Sequence, residues 1–202
     1  MFYLFRKTFL RSRSDRTLNF SLNFKTSNLM KSRNEAEEEV SIVDEEDNVI
    51  GKAIRKTMRE NRWIHRATYI FILTSDNRFH VHKRTMMKKW CPGYWDVVSG
   101  GVVEYGESYE ENAERELGEE FGLKVPLKPL FKFYFENPET RIWGKAFLGR
   151  NDGPLKLQED EIELVEFMSK EEIDERMKKG EKFTPDSNKA YQMFLQNNCF
   201  SL

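Results

Sequence analysis

The sequence has few of the residues from which disulfide frameworks and thiolate or histidine metal centres are built. Among 202 residues only two are cysteine and three are histidine. Cys91 and Cys199 lie far apart and form no CxxC pair, so we expect neither disulfides nor a zinc site, which suits a reducing compartment. Any metal would therefore depend on oxygen ligands. No apolar run is long enough to span a bilayer, which predicts a soluble chain without stable membrane insertion.

The net charge of −1 conceals an uneven distribution of charge. Residues 1–33 contain eight Lys and Arg residues and a single acid, Asp15, so the remaining residues carry a net charge of −8. An acidic body argues against nucleic acid as a partner, because a phosphate backbone requires clustered cations.

The basic segment, residues 1–36, is rich in Arg and Ser and carries Phe and Leu at roughly helical spacing. This composition is typical of an organelle transit peptide. We therefore predict a disordered segment that directs the protein to mitochondria, or to plastids. The alternative is a basic tail without a targeting role on a cytoplasmic protein.

Hydrophobic patterns over residues 37–202 predict one α/β domain in which helices cover a mixed sheet. Two strands are predicted within 40–54, a hairpin within 67–85, and single strands near 130–135, 142–148 and 162–168. Helices are predicted over 108–121, 169–179 and 185–196.

The first of these helices has a clear beginning and a clear buried face. Ser108 followed by Glu111 forms a capping box, which fixes where the helix starts. Ala113, Leu117 and Phe121 recur every four residues and are expected to pack against the sheet.

Three glutamates share another face of the same helix. Glu116, Glu119 and Glu120 lie at i, i+3 and i+4, so their carboxylates fall within one narrow arc and repel each other. A divalent cation would remove the repulsion, and Mg²⁺ and Mn²⁺ prefer oxygen ligands and bridge to phosphate oxygens. The alternative is a solvated acidic face. Arg115 is placed to pair with nearby carboxylates, including Glu119 one turn on, and Glu107 precedes the helix.

The complete spacing decides between these alternatives, because residues 101–123 resemble the Nudix box, G-x5-E-x7-R-E-U-x-E-E-x-G-U with U aliphatic. A chance match anywhere in a chain of this length has a probability on the order of 10⁻⁷. The matching residues are Gly101, Glu107, Arg115, Glu116, Leu117, Glu119, Glu120, Gly122 and Leu123.

The resemblance implies a Nudix α/β/α sandwich around a central mixed sheet. It implies that Glu116, Glu119 and Glu120 bind Mg²⁺ or Mn²⁺, with the backbone carbonyl of Gly101 as a further ligand. It also implies that Glu107 and Arg115 orient the ligands.

The activity implied is attack of water on a diphosphate linkage in a nucleoside-diphosphate-linked or related small molecule. The general base differs among members of the family. A box glutamate, Glu119 or Glu120, is slightly favoured, and the other candidate is Glu161, which precedes a late strand as the catalytic-loop glutamate does in similar proteins.

Four stretches outside the box resemble the Nudix subgroup related to isopentenyl-diphosphate isomerase. In that isomerase a catalytic cysteine follows a tryptophan, whereas here Trp95 is followed by DVVSGG and Cys91 precedes it. The hydrolase is therefore preferred, with an isomerase-like enzyme or a catalytically silent Nudix-fold binding module as alternatives. The four stretches are HRATYIF (65–71), VHKRT (81–85), CPGYWDVVSGGVV (91–103) and FTPD (183–186).

Two residues outside the box are predicted to contact the substrate. Arg84, at the end of a strand, could reach a phosphate, and the alternative is an exposed strand-end charge. Trp95 could stack on a base or cover an isoprenoid, and the alternative is a core residue. The expected partner is a small-molecule diphosphate, and a homodimer is left open.

Overall fold

The computed structural model describes residues 37–201. The predicted basic segment, residues 1–36, lies outside the described residues. Within residues 37–201 no helix is both long and apolar enough to cross a membrane. The elements are β1 (Glu39–Val43), β2 (Val49–Ile54), α1 (Arg55–Glu60), β3 (His65–Leu73), β4 (Phe79–Arg84), β5 (Trp95–Asp96), α2 (Tyr109–Phe121), β6 (Lys128–Glu136), β7 (Arg141–Arg150), β8 (Ile162–Met168), α3 (Lys170–Lys178), α4 (Pro185–Gln196) and a 3₁₀ turn (Cys199–Ser201).

The sheet is mixed, and β3 lies at its centre. β3 pairs in parallel with β7 along its whole length, from His65 opposite Ile142 to Leu73 opposite Arg150. It pairs antiparallel with β1 and β4. Strand β2 extends the sheet beyond β1, β6 pairs with β7, and both β5 and β8 pair with β4. The prediction of a mixed sheet is confirmed.

Helices cover both faces of this sheet. On one face the predicted stripe of α2 is buried against alternate residues of β3, including Ile70 and Ile72. On the other face α4 packs Tyr191 and Phe194 against Phe71 of β3, because successive side chains of a strand point to opposite faces. The predicted α/β/α sandwich is therefore confirmed.

Local signals set the ends of these helices. Ser108 caps α2, where its hydroxyl accepts from the Glu111 N–H and the Glu111 carboxylate accepts in return. Ser169 caps α3 in the same way. Helix α2 ends at Gly122, whose φ of 65° is the left-handed conformation that glycine adopts without strain. The short helix α1 was not predicted.

Candidate active site

The loop before α2 lies directly against β3. The N–H of Thr68 donates to the carbonyl of Gly101 at 2.9 Å. A Cβ on Gly100 would lie 2.2 Å from the Thr68 carbonyl oxygen, and one on Gly101 would lie 2.6 Å from Oε1 of Glu116. The two glycines therefore allow both the strand and a box carboxylate to approach this loop.

Glu120 is the most deeply buried of the box glutamates, with 3% of its surface exposed. Its Oε2 accepts from the Ser99 hydroxyl at 2.6 Å and from the Gly100 N–H at 3.1 Å. Burial raises the pKa of Glu120, and repulsion from Glu161 and Glu116 acts in the same direction. A cation bound here would favour the charged carboxylate instead.

The carboxylate of Glu116 is in a similar electrostatic environment. Burial raises its pKa, the Arg115 charge opposes the rise, and the charges of Glu161 and Glu119 add to it. Glu116 and Glu120 are thus two buried acids that repel each other, an arrangement that a divalent cation stabilises.

Arg115 bridges the carboxylates of the box. Its Nε and Nη2 donate to the two oxygens of Glu107 at 2.8 and 3.0 Å. Its Nη1 donates to Glu116 and to Glu119, both at 3.0 Å. Burial opposes the charge of Arg115, but the surrounding carboxylates raise its pKa. The contacts expected of the orienting pair are therefore present.

Asn112 supports this arrangement and was missed by the sequence analysis. Its side-chain amide donates to Glu107 at 3.0 Å and to the Val102 carbonyl at 3.1 Å. Its oxygen accepts from the Thr68 hydroxyl at 2.7 Å. Burial opposes the charge of Glu107, but hydrogen bonds from Arg115 and Asn112 lower its pKa below the usual range. Asparagine has a poor helix propensity, so its presence inside the predicted helix was the signal that this side chain has a particular hydrogen-bonding role.

Glu161 is brought to the box by the loop that follows β7. The N–H of Lys156 donates to the Phe121 carbonyl at 2.9 Å, and the N–H of Gln158 donates to the Glu120 carbonyl at 3.0 Å. The loop is thus fastened to the last turn of α2. Glu161 belongs to the same turn, because its N–H donates to the Gln158 carbonyl at 3.0 Å.

Arg84 and Trp95, the two predicted substrate contacts, have partners outside the box. Nη1 of Arg84 lies 3.5 Å from Oδ2 of Asp96, and the side chains are only 12% and 10% exposed. Nε of Arg84 donates to the Trp90 carbonyl at 3.2 Å. Trp95 packs against the core on the α4 face, and the guanidinium of Arg176 lies 4.8 Å from the centre of its ring. In the described part of the chain neither is hydrogen-bonded or ion-paired to a box glutamate.

The donor chemistry of the site fits a hard divalent cation, but the side chains are not arranged as a ligand shell. No three His, Cys, Asp or Glu side chains among residues 37–201 converge as a metal-binding group. Glu116 and Glu119 face Arg115, and Glu120 faces Ser99. Glu116 and Glu120, whose pKa values are raised by burial and by repulsion from neighbouring carboxylates, are nevertheless oxygen donors that Mg²⁺ or Mn²⁺ would stabilise in the charged form.

The mixed sheet and the glutamate-bearing helix α2 indicate a class of hydrolase. Residues 63–190 match the NUDIX domain family, and the chain belongs to it as a Nudix hydrolase. Nudix hydrolases generally use divalent cations such as Mg²⁺.

Several bacterial proteins are similar to this chain along most of their length. An uncharacterised Nudix hydrolase of Yersinia pestis is 44% identical over 79% of this chain and 86% of its own. The uncharacterised Nudix hydrolase YfcD of Escherichia coli K12 is 41% identical over 79% of this chain and 88% of its own. The crystal structure of DR0079 from Deinococcus radiodurans superposes with a TM-score of 0.69 at 26% identity, covering 77% of this chain and 98% of that one.

These relatives contradict the predicted location. Proteins similar over most of the chain come from bacteria, which have neither mitochondria nor plastids. The prediction of organelle targeting by residues 1–36 is therefore wrong. The Arg- and Ser-rich composition on which it rested is not specific to transit peptides.

Proposed function

We propose that this protein is an Mg²⁺- or Mn²⁺-dependent hydrolase that cleaves the diphosphate linkage of a nucleoside-diphosphate-linked or related small molecule. The observation that carries the proposal is the convergence of two buried, mutually repelling carboxylates, Glu116 and Glu120, on the glycine loop at Gly100 and Gly101. A helix face built only for stability would not bury like charges together.

The metal would be held by the box glutamates. Glu116, Glu119 and Glu120 are the proposed ligands, together with the carbonyl of Gly101. That carbonyl accepts one hydrogen bond, from Thr68, and a carbonyl oxygen has two lone pairs. When bound, the cation supplies neutralisation of charge on the phosphate oxygens.

The proposed work of the protein's own residues is to hold these carboxylates and to accept a proton. Arg115, anchored on Glu107, fixes Glu116 and Glu119 on one side of the site. Of the base candidates, Glu119 and Glu120 are proposed metal ligands, whereas Glu161 is not, and its loop is fastened to α2 at the Glu120 carbonyl. We therefore assign the general base to Glu161.

An isomerase-like activity is not favoured. In isopentenyl-diphosphate isomerase the catalytic cysteine follows a tryptophan, whereas here Cys91 precedes Trp95 and no cysteine lies between Trp95 and the end of the box at Leu123. The resemblance to the isomerase-related subgroup, and substrate contacts by Arg84 and Trp95, remain part of the proposal. The partners proposed are small molecules rather than nucleic acid, and a homodimer stays open.

The proposal is tested by a screen of diphosphate compounds in Mg²⁺. ADP-ribose, NADH, dinucleoside polyphosphates, nucleoside triphosphates, CoA and prenyl diphosphates would be offered, and phosphate would be measured after a coupled phosphatase. We expect turnover of at least one compound that EDTA abolishes. Glu119→Gln should lower that turnover by a factor on the order of 10³, because it removes a charged ligand.

Glu114→Gln is the matched control, because Glu114 lies on the same helix and is exposed. This control should be as active as the wild type. Retention of most Mg²⁺-dependent turnover by Glu119→Gln would refute the assignment of the metal site.

A further inference from the structure

Lys88 lies among the carboxylates of the site although no part of the box contains it. Its Nζ donates to Oε2 of Glu161 at 2.6 Å. The two side chains are only 12% and 21% exposed. The loop that carries Glu161 is fastened to the last turn of α2, because the N–H of Gln158 donates to the Glu120 carbonyl at 3.0 Å. A largely buried lysine is costly unless it is paired, which makes the position informative.

The backbone builds this contact. β4 and β8 are paired up to Arg84 and Ile162, so the residues that follow one strand meet those that precede the other. The N–H of Thr85 donates to the Glu161 carbonyl at 2.9 Å. The Lys88 N–H then donates back to the Thr85 carbonyl at 3.3 Å, and this turn returns the lysine towards Glu161.

We propose that Lys88 is a positioning residue that holds the carboxylate of Glu161 beside Glu120, where it takes the proton of the attacking water. Without Lys88 the Glu161 carboxylate would lose the hydrogen bond of 2.6 Å that fixes its position and could rotate away from it. The inference rests on the proposed function and adds to it the residue that orients the base.

The proposed step forms one P–O bond and breaks another. The water oxygen forms a bond to phosphorus while its proton passes to Glu161. The bridging oxygen of the diphosphate leaves with the electron pair of the broken P–O bond. Lys88 takes no part in the bond changes, and it acts only through Glu161.

The ion pair itself is tested by unfolding of the metal-free protein in urea. Lys88→Met keeps most of the side-chain volume and should lower the urea midpoint. In a Glu161→Gln background the same change should have a much smaller effect, because the partner charge is already gone. Lys89→Met is the matched control, since Lys89 is adjacent and exposed, and it should leave the midpoint unchanged. An equal loss in both backgrounds would contradict the pairing.

The positioning role is tested by kinetics on whichever diphosphate the protein hydrolyses. Lys88→Met should lower kcat on the order of 10- to 100-fold at unchanged KM, because general-base catalysis is lost rather than binding. Combined with Glu161→Gln it should cause no further loss, and Lys88→Arg should recover most of the rate.

Four other outcomes would overturn the inference. A raised KM at unchanged kcat would mean that Lys88 contacts a phosphate instead. Losses that multiply in the double variant would mean that Lys88 and Glu161 act separately. If Lys88→Met were as active as Lys89→Met, the inference would be wrong but the proposed function would stand. If the wild type were inactive on every diphosphate, both the proposed function and this inference would be wrong.

Discussion

Replacing Arg115 by methionine removes a cation that bridges three carboxylates of the site, those of Glu107, Glu116 and Glu119. Its guanidinium holds Glu107 through two hydrogen bonds and holds Glu116 and Glu119 through a third nitrogen. Methionine keeps the apolar stem of the side chain, so packing is largely preserved and the lost charge dominates the effect.

The magnitude follows from the burial of the ion pairs. Removing one partner of a buried pair costs about 3–5 kcal/mol, because the remaining charge is left uncompensated. Here Arg115 is 19% exposed and its partners are 14–30% exposed, so water screens part of the effect. We therefore expect a loss of about 3 kcal/mol in the free energy of unfolding without metal. At a urea dependence of about 2 kcal/mol per M, the midpoint should fall by about 1.5 M.

Mg²⁺ stabilises both proteins, and it should reduce this loss because the variant should bind it more tightly than the wild type. In the variant Glu116 and Glu119 no longer face a guanidinium, so the charge of Arg115 no longer opposes a cation bound to them. At Mg²⁺ concentrations well above both Kd values, a tenfold lower Kd in the variant would offset about 1.4 kcal/mol of the loss. The assay is urea unfolding of wild type and variant in EDTA and in Mg²⁺.

Arg78→Met is the control for a surface arginine. Arg78 pairs with Asp76, but these side chains are 46% and 60% exposed, so the change should cost less than about 1 kcal/mol. If Arg115→Met cost as little free energy of unfolding as Arg78→Met, the reasoning would be refuted. It would also be refuted if the cost of Arg115→Met were the same in EDTA and in Mg²⁺.

Three further predictions concern other parts of the site. Gly101→Ala should abolish most Mg²⁺-dependent hydrolysis. It should cost only about 1 kcal/mol in the free energy of unfolding in urea, because the atoms nearest the new Cβ belong to the end of the Glu116 side chain. Unchanged hydrolysis would contradict this prediction. The folded-state pKa values of Glu116 and Glu120 are raised, so the folded protein binds more protons than the unfolded chain. The free energy of unfolding without metal should therefore fall as pH rises from the usual carboxyl range to about 8. An increase of that free energy with pH, measured in EDTA, would contradict the prediction. Cys91→Ala and Cys199→Ala should leave hydrolysis unchanged, since no thiolate takes part, and loss of activity in a folded variant would reopen the isomerase-like reaction.

Much of the fold could be predicted because its signals are local. The capping box at Ser108, the buried stripe of α2 and the glycine at its end all lie within one helix and its flanks, where spacing in sequence fixes spacing in space. The same holds for the position of Glu116, Glu119 and Glu120 along that helix, whereas the arrangement of their carboxylates depends on the partners that the fold supplies.

Arg84 shows what local patterns cannot provide. The sequence marks it as a strand-end cation available for phosphate, and the fold pairs it with Asp96, which belongs to the adjacent strand β5. Which anion a buried cation meets depends on strand pairing, and strand pairing is set by packing of the whole sheet.

The sequence by itself determined the glutamate-bearing helix, its glycine loop and the family to which they belong, because these depend on residues within 23 consecutive positions, 101–123. Only the tertiary structure decided that Lys88 would meet Glu161, 73 residues away, and that Thr68 and Asn112 would be hydrogen-bonded across 44 residues. Contacts of this kind form when separate strands and helices pack together, and no periodicity along the chain records them.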